Sequence, residues 1–173
     1  GVTKFSKVSI FSDLNNLNDI SLGDDYSSIC GISEEELHRV FQLHVERLAE
    51  YQKMTVDEAY AELKKRYDGY HFSKNSCGMY NPFSVLNALY KRDFGSYWFE
   101  TGTPTFLVKL LKERDYNLER MANEEVDADT LNAIDSMSNN PIPVIFQSGY
   151  LTIKSFDSEF DMYRLGFPNE EVR

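Results

Sequence analysis

Basic charge, histidine and cysteine are all scarce in this 173-residue chain, and each shortage removes a class of function. Lys and Arg number 18 against 28 Asp and Glu, a net charge of −10. A free-standing nucleic-acid binder needs a basic face, and this chain meets a phosphate backbone with net repulsion. Its basic spots, at Lys64, Lys65 and Arg66 and at Lys109, Lys112 and Arg114, are mixed with acids at helical spacing and read as solvated helix faces. The two cysteines, Cys30 and Cys77, are too few for a disulfide scaffold, so reduced, intracellular thiols are expected. No apolar run reaches membrane-spanning length and no signal-peptide pattern occurs. The expected setting is therefore cytoplasmic, with no membrane partner.

Catalytic patterns are missing too. No Gly-x-x-x-x-Gly-Lys-Ser/Thr loop occurs, so nothing cradles a phosphate with backbone amides. Gln147-Ser148-Gly149 lacks the flanking glycines of a nucleophile elbow. His38 and His44, six residues apart on an expected helix, stand roughly 240° apart around its axis and do not converge on a metal. His71 and Cys77 could face each other across a small hairpin, but no orienting acid accompanies them, and a structural pair is the better reading. Glu62-Leu63-Lys64 matches half of a metal-dependent nuclease signature. That chemistry needs a strand with a second carboxylate, whereas these residues fall mid-helix. We assign no catalytic, cofactor-binding or metal-ligating residue. No cofactor is expected for this chain, and it is read as a non-enzyme.

What the chain does hold is aromatic bulk, with 12 Phe, 11 Tyr and 1 Trp, and clear punctuation. The tyrosine-rich core is expected to be edged with hydroxyl hydrogen bonds. Trp98, within Tyr97-Trp98-Phe99-Glu100-Thr101-Gly102, reads as core. Ser33 and Glu36 form a capping box, followed by a stripe of Leu37, Val40, Phe41, Val45 and Leu48. Thr55 and Glu58 open a second helix carrying Val56, Tyr60, Leu63 and Tyr67, with Gly69 as its left-handed cap. The short Tyr51–Met54 connection makes the two an antiparallel hairpin. Asn81-Pro82 and Thr103-Pro104 start two more helices.

Between them, Tyr70–Ser73 and Gly78–Asn81 read as a small β-hairpin, and Val144–Ser148 as a short helix stopped by Gly149. Tyr150–Phe156 and Phe160–Phe167 flank Asp157-Ser158-Glu159 as a second hairpin. The segments Val2–Phe11 and Leu118–Asn132 are each compatible with strand or helix. Asp13–Asp25, rich in Asn, Asp and Ser, reads as loop. The fold class expected is α+β, mainly helical: a helical, lid-like region with a small hairpin over 1–100, then a winged-helix-like region ending in a hairpin over 101–173.

Several longer segments are distinctive: residues 1–17, Arg66-Tyr-Asp-Gly-Tyr-His-Phe72, Tyr80-Asn-Pro-Phe-Ser-Val-Leu-Asn-Ala-Leu89, Tyr97–Phe106, Phe146–Lys154 and Leu165–Arg173. In order and spacing they resemble the predicted AAA-ATPase-like family of large bacterial proteins. That resemblance implies a parent with a Walker A loop and a Walker B acid for ATP and magnesium on its N-terminal side. It also implies a PD-(D/E)XK nuclease-type domain on its C-terminal side. This chain would correspond to the middle, with residues 1–12 as a remnant of the sensor strand, Thr3 and Lys4 nearest to it, and Val8, Ile10 and Phe11 on a severed interface. The abrupt start at Gly1 fits a segment cut from something longer. The function so implied is a non-catalytic relay of nucleotide state, with the ATPase core, the nuclease-like domain or another protein as partner. A DNA-binding winged helix is the alternative. Its only basic wing residues, Lys154 and Arg164, are outnumbered by Asp157, Glu159 and Asp161.

Overall fold

The structure, a computed structural model, describes residues 19–98, 122–133 and 140–173. The expected sensor strand with Thr3 and Lys4, the severed interface at Val8, Ile10 and Phe11, and the helix opened by Thr103-Pro104 lie outside the described residues.

The described chain is α+β and mainly helical. A 3-10 turn at Asp24–Tyr26 precedes α1 (Glu34–Val40), α2 (Gln42–Gln52), α3 (Val56–Tyr67) and α4 (Pro82–Lys91). Next come β1 (Glu125–Val126), α5 (Ala128–Asn132), α6 (Ile142–Gln147), β2 (Thr152–Asp157) and β3 (Met162–Gly166). The three strands form one antiparallel sheet in the order β1-β3-β2.

The capping signals act as read. Ser33 Oγ accepts the Glu36 N–H at 3.1 Å while the Glu36 carboxylate accepts the Ser33 N–H at 2.9 Å. Thr55 and Glu58 repeat the exchange at 3.2 and 2.8 Å. Each box fills donors that a helix start leaves open and contributes about 1 kcal/mol. Lys53, left-handed at φ 57°, ends α2 and turns the chain back into α3.

The stripe from Leu37 to Leu48 does not lie on one helix. Phe41 leaves helical geometry at φ −105°, ψ 3°, and splits it into α1 and α2. Val40 and Phe41 both lose side-chain freedom in a helix. The break lets Phe41 turn against the core while Val40 turns out to solvent. The hairpin expected over 70–81 is also reduced. Tyr70 pairs with Met79 in one bridge, and Tyr80 pairs instead with Ile32. Ser76 Oγ accepts the N–H groups of Phe72 and Ser73 at 3.1 and 3.2 Å. A side chain that captures these donors takes them from the ladder.

Gly69 is not a simple helix cap. Asp68 at the end of α3 is extended, and Gly69 follows at φ +99°. A Cβ on Gly69 would lie 2.3 Å from the carbonyl oxygen of Pro168. Two parts of the chain about a hundred residues apart therefore touch backbone to backbone there.

The ambiguous segment before Asn132 resolves, in its described part, into β1 and then α5. Asp127 caps α5 by accepting the Thr130 N–H at 2.7 Å. α6 begins at Ile142, two residues earlier than read, because Pro143 fits the first turn, where an N–H has no helical partner. Gly149 at φ +79° ends that turn. The second hairpin forms as expected, with a bulge at Lys154 between the Ile153 and Ser155 pairings.

Apolar burial follows these elements. One cluster joins α1 to α4 through Leu37, Val45, Leu48, Leu63, Tyr67 and Val85. A second joins β1, α5, α6, β2 and β3 through Val126, Leu131, Ile145, Ile153 and Leu165. Between them Tyr70, Met79 and Val172 form a small third cluster, with Trp98, Tyr150 and Phe167 packed against it. Trp98 is thus partly buried at a junction. Replacing Gly69 by Ala is expected to destabilise the chain by roughly 2 kcal/mol or more, from the left-handed backbone and the collision with Pro168. Denaturant unfolding of Gly69→Ala against the unaltered chain measures this.

Candidate functional site

Two features stand out once the fold is in place: the seam where residues 168–171 return to α3, and the hairpin formed by β2, β3 and their turn.

The seam is built by residues 168–171. The N–H groups of Glu170 and Glu171 reach the carbonyls of Lys65 and Arg66 at 3.3 and 3.4 Å. These are among the last carbonyls of α3, which have no partner within the helix. Asn169 Nδ2 donates to the Asp68 carbonyl at 2.9 Å, and Lys65 pairs with Glu170 at 3.0 Å. Glu171 is 7% exposed, and its Oε1 accepts the backbone N–H groups of Tyr97 and Trp98 at 2.6 and 3.0 Å. Its Oε2 is buried with no hydrogen-bond partner. A carboxylate taken from water is tolerable only when it is well donated to, and bonds to a charged acceptor contribute about 1.5–3 kcal/mol each.

A second tie lies nearby. Thr152 Oγ1 accepts the His71 N–H at 2.7 Å and donates to the His71 carbonyl at 3.1 Å. Here one buried hydroxyl does the work of a strand partner. Tyrosines line the helical side. Tyr67 donates to the Gly95 carbonyl at 2.8 Å, and Tyr97 to that of Asp93 at 3.0 Å. Burial, then the Glu171 charge, pushes the Tyr67 hydroxyl well above its ordinary range, so it stays a donor.

A polar node sits on the outer helical face. Glu34 accepts from Lys64 at 2.5 Å and from the Tyr80 hydroxyl at 2.9 Å, and meets His38 Nε2 at 3.3 Å. Partial burial works to raise the Glu34 carboxyl, but the bonds from Lys64 and Tyr80 prevail and hold it below the usual range. This node disperses the Glu62-x-Lys64 pair. Glu62 turns to Arg66, while Lys64 serves Glu34 and, at 3.7 Å, Asp68.

The histidines stay apart. His38 stacks on Tyr60 at 3.8 Å and His44 meets the Phe41 ring edge-on. His71 Nδ1 donates to the Ser76 carbonyl at 2.8 Å, which fixes its tautomer, and the exposed Cys77 is not its partner. Among the described residues no group of three His, Cys, Asp or Glu side chains is placed to hold a metal ion. No helix among the described residues is long and apolar enough to cross a membrane.

The β2–β3 turn is held by Asp157, whose Oδ1 accepts the N–H groups of Glu159 and Phe160 at 2.8 and 3.3 Å. The turn presents Phe160, 69% exposed, among Asp157, Glu159 and Asp161. α6 carries no charged residue, and Ile142, Pro143 and Ile145 are buried in it. Gln147 locks it to α5 by donating to the carbonyls of Leu131 and Ala133 at 3.1 Å each.

Sequence reading missed the seam. Glu171 bonds residues 73 and 74 positions away, and no local pattern marks it. Gly69 carried a signal, but it pointed to the helix end rather than to Pro168.

Comparison with known proteins adds one relative. A protein of Azotobacter chroococcum mcd 1, described as "Uncharacterized protein in vnfD 5'region", is 39% identical over 175 residues. The similarity covers 100% of this chain and 32% of that protein, so the chain spans about a third of the length of the curated relative it matches. No family model matches the chain. No solved structure matches it.

Glu171→Ala is expected to destabilise the chain by about 2–3 kcal/mol, and Glu171→Gln by less than half of that, since an amide oxygen still accepts both N–H groups. Chemical denaturation of the two variants checks the order. Glu34 gives a pH test. Its folded-state value is depressed, so its contribution is complete above the ordinary glutamate value of 4.5 and is lost as the pH falls through the folded value. The stability difference between the unaltered chain and Glu34→Gln should be flat from neutrality to about pH 5 and narrow below it. Urea unfolding across that range reads it directly.

Proposed function

We propose that this chain is a non-catalytic relay and protein-interaction module, in which a helical, lid-like unit is joined rigidly to a winged-helix-like unit. It works inside a longer protein whose nucleotide chemistry, with ATP and magnesium, lies in other parts. The observation that carries this reading is the seam. Glu171, Asn169 and Thr152 bind the backbones of Tyr97, Trp98, Asp68 and His71, so a displacement of one unit moves the other. Coupling needs such a contiguous polar contact between the two units.

The winged-helix-like reading is supported by topology. β1, α5, α6, β2 and β3 follow in that order, and β3 lies between β1 and β2. The same elements argue against the DNA-binding alternative. In such folds a helix enters the major groove and the wing lies on the backbone. Here α6 is uncharged and largely buried, so it offers no cation to a polyanion, and the acidic wing turn repels one. An exposed Phe160 on a rigid acidic turn suits a protein surface with a basic rim. The resemblance to AAA-ATPase-like proteins and the greater length of the Azotobacter relative agree with a part that acts within a larger chain.

Titration of this chain into fluorescein-labelled duplex DNA at 20 mM salt (a condition of about the strongest phosphate attraction), alongside a fluorescent ATP analogue, tests the reading. No anisotropy change at micromolar protein is expected for either. Tight, salt-sensitive duplex binding would establish the DNA alternative, and micromolar binding of the ATP analogue would contradict the reading that nucleotide chemistry lies in other parts.

A further inference from the structure

Lys154 differs from its fellow lysines in what holds its amine. Among the described residues, Lys64 and Lys65 meet the Glu34 and Glu170 carboxylates at 2.5 and 3.0 Å. Lys74 and Lys91 lie over the Phe156 and Tyr97 rings at 5.1 and 4.4 Å. Each of those partners attracts the charged ammonium. Lys154 is the bulge residue of β2, left out of the pairing with β3 between Ile153 and Ser155. Its side chain crosses the bare backbone of Gly166, where a Cβ would come within 2.7 Å of Lys154 Cγ. Its Nζ then donates to a neutral group, the Pro168 carbonyl, at 3.2 Å. Among the described residues Lys154 forms no ion pair. Partial burial pushes its ammonium below the ordinary lysine value, and the Asp68 charge opposes this only in part. The residue as a whole is still exposed to solvent.

We infer that Lys154 is a modification site, at which Nζ accepts the acyl group of a small acyl phosphate. A neutral amine can meet both demands of this geometry. One N–H stays on the Pro168 carbonyl while the nitrogen lone pair is free to attack, whereas an ammonium has no lone pair to give. Nζ bonds to the acyl carbon and the bond from that carbon to the phosphate oxygen breaks. Phosphate leaves with the electron pair, and the nitrogen releases one proton to water. The product amide keeps one N–H for the Pro168 carbonyl and carries no charge, so its partial burial costs less than that of the ammonium. The acyl group must be small, because Nζ lies at Pro168, whose backbone is already against Gly69. Acylation also removes a positive charge that acts on Asp68, whose Oδ1 is buried with no hydrogen-bond partner. Its effect therefore falls on the seam. That consequence rests on the relay reading, whereas the reactivity of Nζ does not.

Treatment of the folded chain with acetyl phosphate, followed over time by site-resolved mass spectrometry of its peptides, tests this. Lys154 should acetylate at least about threefold faster than the exposed Lys53, because a larger share of its amine is neutral. In the urea-unfolded chain the difference should vanish. Asp68→Asn keeps the side-chain shape and removes the charge that favours the ammonium. It should speed acetylation of Lys154 about twofold and leave Lys53 unchanged. A Lys154 rate no higher than that of Lys53 in the folded chain overturns the inference. A preference that persists in urea does so too, since it would come from local sequence, as does an Asp68→Asn change that moves both rates alike. The readout is a rate at one amine, so it is independent of whether the two units move together.

Discussion

The Glu171 carboxylate, held against the Tyr97 and Trp98 amides, is the contact on which the architecture turns. It joins the last residues of the chain to the segment that leaves α4. Around it the other joints follow of necessity. Gly69 must be glycine because the backbone at Pro168 lies against it. Asn169 and the neighbouring amides fill the open carbonyls at the end of α3. Trp98, Tyr150 and Phe167 close over the remaining apolar gap beside Tyr70. A polar joint inside a small apolar cluster specifies one arrangement, because any slip leaves a buried charge without donors.

Electrostatics decides what such a body can meet. The turn between β2 and β3 is acidic, with Asp157, Glu159 and Asp161 around the exposed Phe160. The helix ahead of it is used up in packing. A fold of this class serves many functions, so function has to be argued from the residues it presents rather than from the architecture. Among the described residues, Phe160 is exposed amid acids, whereas Leu86 and Tyr90 are exposed on a helix that has none.

Local chemistry was legible in the residues. The two capping boxes, the Asn81-Pro82 start, the Gly149 stop and the long hairpin are all written within a few positions of where they act. What escaped reading depends on distance. The break at Phe41 has no glycine or proline to announce it and arises because Phe41 packs inward. The hairpin over 70–81 yields to Ser76, whose hydroxyl competes for the backbone, and to Ile32, nearly fifty residues upstream. The seam itself was invisible, since Glu171 looks like one more acid in an acidic chain until Tyr97 is placed beside it. The Cys77–His71 and Glu62–Lys64 pairs were close in sequence, yet His71 turns to Ser76, Glu62 to Arg66 and Lys64 to Glu34, while Cys77 is exposed.

Native-state hydrogen exchange at the Tyr97 and Trp98 amides tests the central claim, that the seam makes one mechanical body, most directly. Those two amides should exchange with the same opening free energy and the same denaturant dependence as Leu63 in the helical cluster and Leu165 in the sheet. If Tyr97 and Trp98 exchange freely while Leu63 and Leu165 stay protected, the two clusters move independently and the relay account is wrong.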